Sequence, residues 1–185
     1  MAELTTERLI LRPVVRGDLP HVMKLAGDAA VAEMTGSLPH PLSAAKAEAW
    51  LESCARDGER VFAIVRAADK AFLGNIGLTL DESGQTARLG YWLGRDHWGQ
   101  GFATEAVRRV LRLAFGEMKL REIQAGVFPG NAASMRVLTK TGFREVGPAQ
   151  HPAPARGSGK RDVVVFVATR ASFAQAALSQ AVGRE

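Results

Sequence analysis

The segment at residues 98–105, Trp-Gly-Gln-Gly-Phe-Ala-Thr-Glu, carries the clearest chemistry in the chain. Gly99 and Gly101 stand where an extended pattern gives way to a helical one. At such a junction the first helical N–H groups lack internal partners, and the helix dipole adds partial positive charge. Glycine lets an anion approach the backbone because no Cβ intervenes. Ala103 keeps the next position small and Thr104 adds a hydroxyl donor. With Trp98, Gln100 and Phe102 alongside, the segment reads as a cradle for a pyrophosphate. Two common pyrophosphate motifs do not fit it. Counted from Gly99, the dinucleotide fingerprint needs Gly or Ala where Thr104 stands, and a P-loop needs a Gly-Lys-Ser/Thr that is absent.

A second group begins at Asn131, which heads a helical pattern and can cap it. Ser134 lies one turn further on, and Arg136 and Lys140 add positive charge, either toward a phosphate or on a solvated face. His21, His40, His97 and His151 share no metal-ligand spacing, so no metal is expected. A single cysteine, Cys54, leaves no pair for a disulfide or a redox motif.

The elements that must position these groups follow from periodicity. Residues 8–13 alternate as a strand, Asp18 can cap a helix through Leu25, and Ser43 can cap a second reaching Asp57. Three strand-like runs follow at 60–66, 71–80 and 86–93, joined by turns short enough for antiparallel hairpins. Residues 101–118 then form an amphipathic helix, with Ala103, Val107, Val110, Leu111 and Ala114 on one side and Arg108, Arg109 and Arg112 largely opposite. A strand at 122–127 follows it. Strand, long helix and strand imply a right-handed crossover between parallel neighbours. A helix at 131–140 stops at Gly142, strands at 143–146 and 162–167 complete the sheet, and 171–182 suits a terminal helix. The Pro, Ala and Gly content of 147–160 reads as an exposed loop.

Composition narrows the function. The net charge of +5 comes from 24 basic and 19 acidic residues scattered together, with one tyrosine in the chain. That pattern lacks the basic, aromatic-interleaved face of a nucleic-acid binder and suits a polyanionic small molecule. No apolar run is long enough for a signal peptide or a membrane span, so the expectation is a cytoplasmic protein with no membrane partner.

The run Gly99-x-Gly101-x-Ala103-Thr104-Glu105-Ala106, preceded by Leu89-Gly90-Tyr91-Trp92-Leu93, resembles the coenzyme A-binding signature of the GNAT acetyltransferase superfamily, in its RimJ/RimL-like branch. Asn131-Ala-Ala-Ser134, continuing through Leu138 and Lys140 to Gly142-Phe143, follows in the family's order. The opening Thr6-Glu7-Arg8-Leu9-Ile10-Leu11-Arg12-Pro13 is similar to that branch's first strand. The resemblance spans nearly all of 5–167. It implies an α/β (mixed α+β) single-domain GNAT-like fold. Its central mixed sheet would have about seven strands, antiparallel in the first half, with a parallel splayed pair and flanking helices. One N-acetyltransferase domain would occupy 1–185, with a core at about 5–170 and a helical tail at 171–185.

The resemblance also implies the reactants. Acetyl-coenzyme A would be the co-substrate, its pantetheine arm against the backbone of Tyr91, Trp92 and Leu93. The phosphate loop (Trp98, Gly99, Gln100, Gly101, Phe102, Ala103, Thr104) and Asn131, Ser134, Arg136 and Lys140 would complete the cofactor site. The Leu93 N–H would stabilise the oxyanion and Ser134 would be the general acid, a role many relatives give to tyrosine. The acceptor would be an amine, on a peptide N-terminus or a small molecule, and the protein a monomer or homodimer. The acceptor side would be built from the first two helices and the loop at 35–43. Relatives often carry Glu just before the Gly-Tyr-Trp run, where this chain has Arg88. That departure leaves the general base open among Glu33, Asp81 and His97, and motivates the alternative of a catalytically silent coenzyme A-binding module.

Overall fold

Runs with alternate apolar residues become strands, and runs with an apolar residue every three or four become helices. The computed structural model describes residues 2–36, 40–152 and 159–182. Strands β1 (Leu4–Thr5) and β2 (Leu9–Pro13) are followed by helices α1 (Leu19–Ala26), α2 (Ala29–Glu33) and α3 (Ala44–Ser53). Strands β3 (Glu59–Arg66), β4 (Phe72–Leu80) and β5 (Thr86–Leu93) lead into helix α4 (Phe102–Arg112) and strand β6 (Glu122–Val127). Helix α5 (Ala132–Lys140), strands β7 (Arg144–Pro152) and β8 (Lys160–Thr169) and helix α6 (Arg170–Val182) complete the chain.

The strands form one mixed sheet of eight in the order β1-β2-β3-β4-β5-β6-β8-β7. Only β5 and β6 run parallel; the other neighbours are antiparallel. The eighth strand is the two-residue β1 at the sheet edge. The stretch at 147–160, expected to be a loop, instead extends β7 to Pro152 and begins β8 at Lys160; residues 153–158 lie outside the described ones. Pro148 and Pro152 are tolerated there because β7 is an edge strand, where a missing N–H need cost no ladder bond.

Each face of the sheet has its own core. On one, Leu9, Leu11, Phe62, Ile76, Leu78, Leu89 and Ile123 pack against Ala106, Val107, Val110 and Leu111 of α4. On the other, Ala63, Val65, Phe72 and Trp92 pack against α1, α2 and α3 through Leu19, Val22, Val31 and Ala47. The expected long helix ends as α4 at Arg112 and widens into a π-helical turn at Leu113–Glu117, where Arg170 Nη2 donates to the Phe115 carbonyl at 2.8 Å. Ser43 caps α3 as expected, accepting from Lys46 N–H at 3.4 Å, but the helix stops at Ser53 rather than Asp57. The short helix α2 carries no periodicity long enough to be read from sequence.

Asp18 does not cap α1. Its carboxylate accepts from Arg12 Nη1 at 2.8 Å and Nη2 at 2.7 Å, and from the Val15 N–H at 2.9 Å. Burial alone would raise its pKa, but the bonds from Arg12 and Val15 outweigh that and hold it below the usual carboxylate value. The pair joins β2 to the entry of α1. Asp18→Ala leaves a half-buried guanidinium without its carboxylate and should cost about 2 kcal/mol, read by urea denaturation. Asp18's folded pKa is depressed, so its contribution is full above the unfolded carboxylate value and is lost as pH falls through the lower folded one. The gap between parent and variant should therefore close in acid.

Candidate active site

Pairing between β5 and β6 is confined to Thr86↔Glu122, Ala87↔Ile123 and Arg88↔Gln124. Beyond Arg88 the strands part. The Gly94 N–H donates to the Leu73 carbonyl at 2.8 Å, which fixes the phase of β5. Trp92 therefore spends its backbone on β4, while Tyr91 and Leu93 direct theirs into the gap. Trp98 Nε1 donates to the Leu93 carbonyl at 2.8 Å, so the group that Leu93 offers the gap is its N–H.

The glycine loop expected to hold the phosphates sits at the end of this strand. Gly99 and Gly101 take φ of +72° and +83°, a region that L side chains rarely enter, and Gly101 is the residue before α4. A Cβ on Gly99 would touch nothing, so its glycine is needed for conformation and not for room. Gln100 braces the loop, its Nε2 donating to the Asp96 carbonyl at 2.8 Å. Phe102 is buried beneath Arg8, whose guanidinium lies 4.7 Å from the ring centroid.

Arg8 and Glu105 bind this loop to the start of the chain. Glu105 Oε1 accepts from Thr6 Oγ1 at 2.6 Å and Arg8 N–H at 2.9 Å, and Oε2 accepts from Arg8 Nε at 2.7 Å. Burial raises the Glu105 pKa, but Thr6 and Arg8 outweigh it, and the net shift is downward. Arg8 Nη1 also donates to the Gln100 carbonyl at 3.1 Å. The sequence shows Thr6, Arg8 and Glu105 as motif residues but not that they pair across nearly a hundred positions.

Asn131 caps α5, its Oδ1 accepting from the Ser134 N–H at 3.0 Å. Ser134 Oγ lies 2.9 Å from the Tyr91 hydroxyl, and either can donate. Burial pushes the Tyr91 hydroxyl up to about 12, partly offset by Ser134, so it keeps its proton through the neutral range. Alternation on β5 places Tyr91 toward α5, but only the tertiary fold brings Ser134 to meet it.

These groups line one cavity of about 840 Å³ that runs from the phosphate loop, through the gap, to the sheet face covered by α2 and α3. Trp98, Gly99, Gly101, Phe102, Ala103 and Thr104 line its loop end, with Asn131, Ser134, Arg136 and Lys140 from α5. Trp92 borders it from the opposite face, where its ring packs on Phe72 and its buried Nε1 has no partner. Of the three base candidates only His97 lines the cavity. Burial and Arg66 hold its pKa below the usual histidine value. Glu33 is exposed on α2, and Asp81 is spent on Ser83 and the Thr86 N–H in the β4–β5 turn. Glu59 is the carboxylate that reaches the cavity among the described residues, accepting from Thr79 Oγ1 at 3.0 Å. Sequence reading began this strand at residue 60 and left Glu59 outside it. No cluster of His, Cys, Asp or Glu among the described residues is arranged to hold a metal, and no described helix is long and apolar enough to cross a membrane.

Comparison with known proteins agrees with this architecture. Residues 8–144 match the model of the acetyltransferase (GNAT) domain. "Probable N-acetyltransferase YjcK" of Bacillus subtilis is 44% identical over 110 residues, covering 58% of this chain and 61% of that protein. An uncharacterized N-acetyltransferase of Bacillus licheniformis is 29% identical over 180 residues, covering 94% of this chain and 99% of its own length. Among solved structures, spermidine N-acetyltransferase from Vibrio cholerae in complex with CoA and spermine aligns with a TM-score of 0.76 at 22% identity, covering 91% of this chain and 99% of that one. The chain belongs to the GNAT acetyltransferase family and is an acyltransferase. Proteins of this fold use acetyl-coenzyme A, and the gap, the glycine loop and the head of α4 fit such a ligand.

Gly101→Glu should lower coenzyme A affinity by about 100-fold or more in calorimetric titration, because it sets a carboxylate against the phosphate site. The left-handed φ adds a stability cost of about 1–2 kcal/mol, small enough for the fold to survive. Unchanged affinity would place the phosphates elsewhere.

Proposed function

We propose that this chain transfers acetyl from acetyl-coenzyme A directly to a primary amine, on a protein N-terminus or a small molecule. The observation that carries this reading is the single cavity joining the phosphate loop to the opposite face of the sheet. Both reactants can then meet at the gap between β5 and β6. The thioester supplies an activated acyl group; the remaining chemistry is left to the protein.

Tyr91 and Leu93 offer backbone groups to an amide-bearing arm, and the Leu93 N–H is aimed at the gap as an oxyanion donor. The Ser134 and Tyr91 hydroxyls share a proton at 2.9 Å and form the general acid for the departing sulfur. Cys54 lines the cavity, but burial and Glu59 push its thiol up to about 12, so it stays protonated and is a poor nucleophile. That favours direct transfer over an acyl-enzyme. The RimJ/RimL-like motifs favour a protein N-terminus as acceptor, and the spermidine acetyltransferase likeness favours a polyamine.

Mixing the protein with acetyl-coenzyme A and a panel of a diamine, an amino acid amide and a short peptide with a free N-terminus should release free thiol with at least one of them. Ser134→Ala should lower kcat by about 10-fold or more with coenzyme A affinity retained, and Tyr91→Phe should act in the same direction. Tight cofactor binding with no thiol release from any amine would instead mark a silent coenzyme A-binding module.

A further inference from the structure

The charges on the wall of the cavity are sorted by position. Arg136 and Lys140 of α5 stand at the end expected to hold the phosphates. At the other end, among the described residues, Glu59 is the one charged side chain. It is half-buried, and its carboxylate accepts from Thr79 Oγ1 at 3.0 Å. A carboxylate can accept about four such bonds. Among the described residues no cation pairs with this one. Its charge reaches into the cavity, where it helps to raise the pKa of Cys54.

An open trough joins this carboxylate to the gap. On the face covered by α1, α2 and α3, Val61, Gly77 and Gly90 lie in register across β3, β4 and β5. Carried forward from Thr86↔Glu122, the same level reaches Gly126 on β6, and all four residues line the cavity. A Cβ on Gly90 would meet nothing within 4 Å, so the space above it is open. Trp50 and Trp92 border the trough with apolar surface. Through Thr79, Glu59 is level with Arg88 on β5. The Leu93 N–H lies further along β5 and two strands across, a diagonal of about 20 Å at sheet spacings. The reach of the Glu59 side chain and of a thioester held at Leu93, each with its hydrogen bond, leaves about 10 Å. An extended chain covers about 1.2 Å per bond, so about eight bonds span that distance.

We propose that the acceptor is a long dication, with one primary amine in the gap and a second ammonium paired with Glu59. This rests on the amine-transfer reading above and narrows it to diamine chains of about that length. Glu59 is then a specificity-determining residue that holds the far end of the acceptor, away from the reacting atoms. The methylenes between the two charges lie over Gly77 and Gly90 and against the tryptophans. An anionic tail would meet Glu59 with like charge, and a neutral tail would leave a desolvated carboxylate without a partner.

A contact so far from the reacting atoms is equally strong in the ground and transition states, so its loss shows in KM before kcat. The carboxylate is half-exposed, so the effect is on the order of 10-fold and weakens as salt is added.

The test compares octamethylenediamine, aminooctanol and aminooctanoate, which share one chain and end in an ammonium, a hydroxyl and a carboxylate. By thiol release, the parent should favour the diamine over aminooctanol by about 10-fold in kcat/KM, mostly through KM, and use aminooctanoate least. Tetramethylenediamine, too short to span the trough, should show no such advantage over aminobutanol. Glu59→Gln should bring octamethylenediamine and aminooctanol near parity, and Glu59→Lys should move the preference to aminooctanoate. Retained coenzyme A affinity reports that each variant is folded. A merely structural Glu59 would shift all three acceptors alike. Equal parental use of the diamine and the alcohol, or a diamine preference that survives Glu59→Gln, would overturn the proposal and leave amine transfer standing. A parent that binds coenzyme A yet releases no thiol with any amine would overturn both.

Discussion

The candidate active site depends on one failure of pairing. Two parallel strands that bond at Arg88 and Gln124 stop doing so one residue later. Parallel neighbours that kept their ladder would satisfy each other's N–H and C=O groups and leave nothing for a ligand. By parting, β5 and β6 open a passage through the sheet and turn the backbone of Tyr91 and Leu93 toward it. The two glycines at the same level, Gly90 and Gly126, keep the passage open on the far face.

A gap in a sheet needs support at its ends. At one end the Trp98 indole ties the loop back to Leu93, and the ladder of β4 and β5 holds the other side of the strand. At the head of α4, Glu105 gathers Thr6 and Arg8 so that the first turn of the chain buttresses the loop. These bonds are partly exposed, so each contributes modestly to stability; their effect is to fix where the helix begins. That position matters most, because the unpaired N–H groups of the helix are useful only where the phosphates lie.

The sheet also separates the chemistry. On the α4 and α5 side, Tyr91 and Ser134 hold a shared proton in a buried setting that keeps the tyrosine neutral. On the other side, Trp92 and Glu59 border the same cavity. Cys54, half-buried beside Glu59 within the same cavity, has its thiol pKa raised by that burial and charge.

Local pattern revealed most of the elements. Period-two alternation marked β2, strand-like runs set off by turns marked β3, β4 and β5, the amphipathic stripe marked α4, and the glycine spacing marked the loop before it. These depend on near neighbours, so one strip of sequence contains them. It did not contain the partnership of Asp18 with Arg12, which displaced an expected helix cap, nor the strand that replaced a loop at 147–152. Nor did it contain Tyr91 meeting Ser134 or Arg8 meeting Glu105. Each joins residues whose distance along the chain says nothing of their distance in space, and that distance is set by strand order and register. The sequence determined that a glycine-rich loop would head a helix in a mixed sheet; the tertiary structure decided which side chains stand around the gap, because only packing brings distant side chains within hydrogen-bond reach.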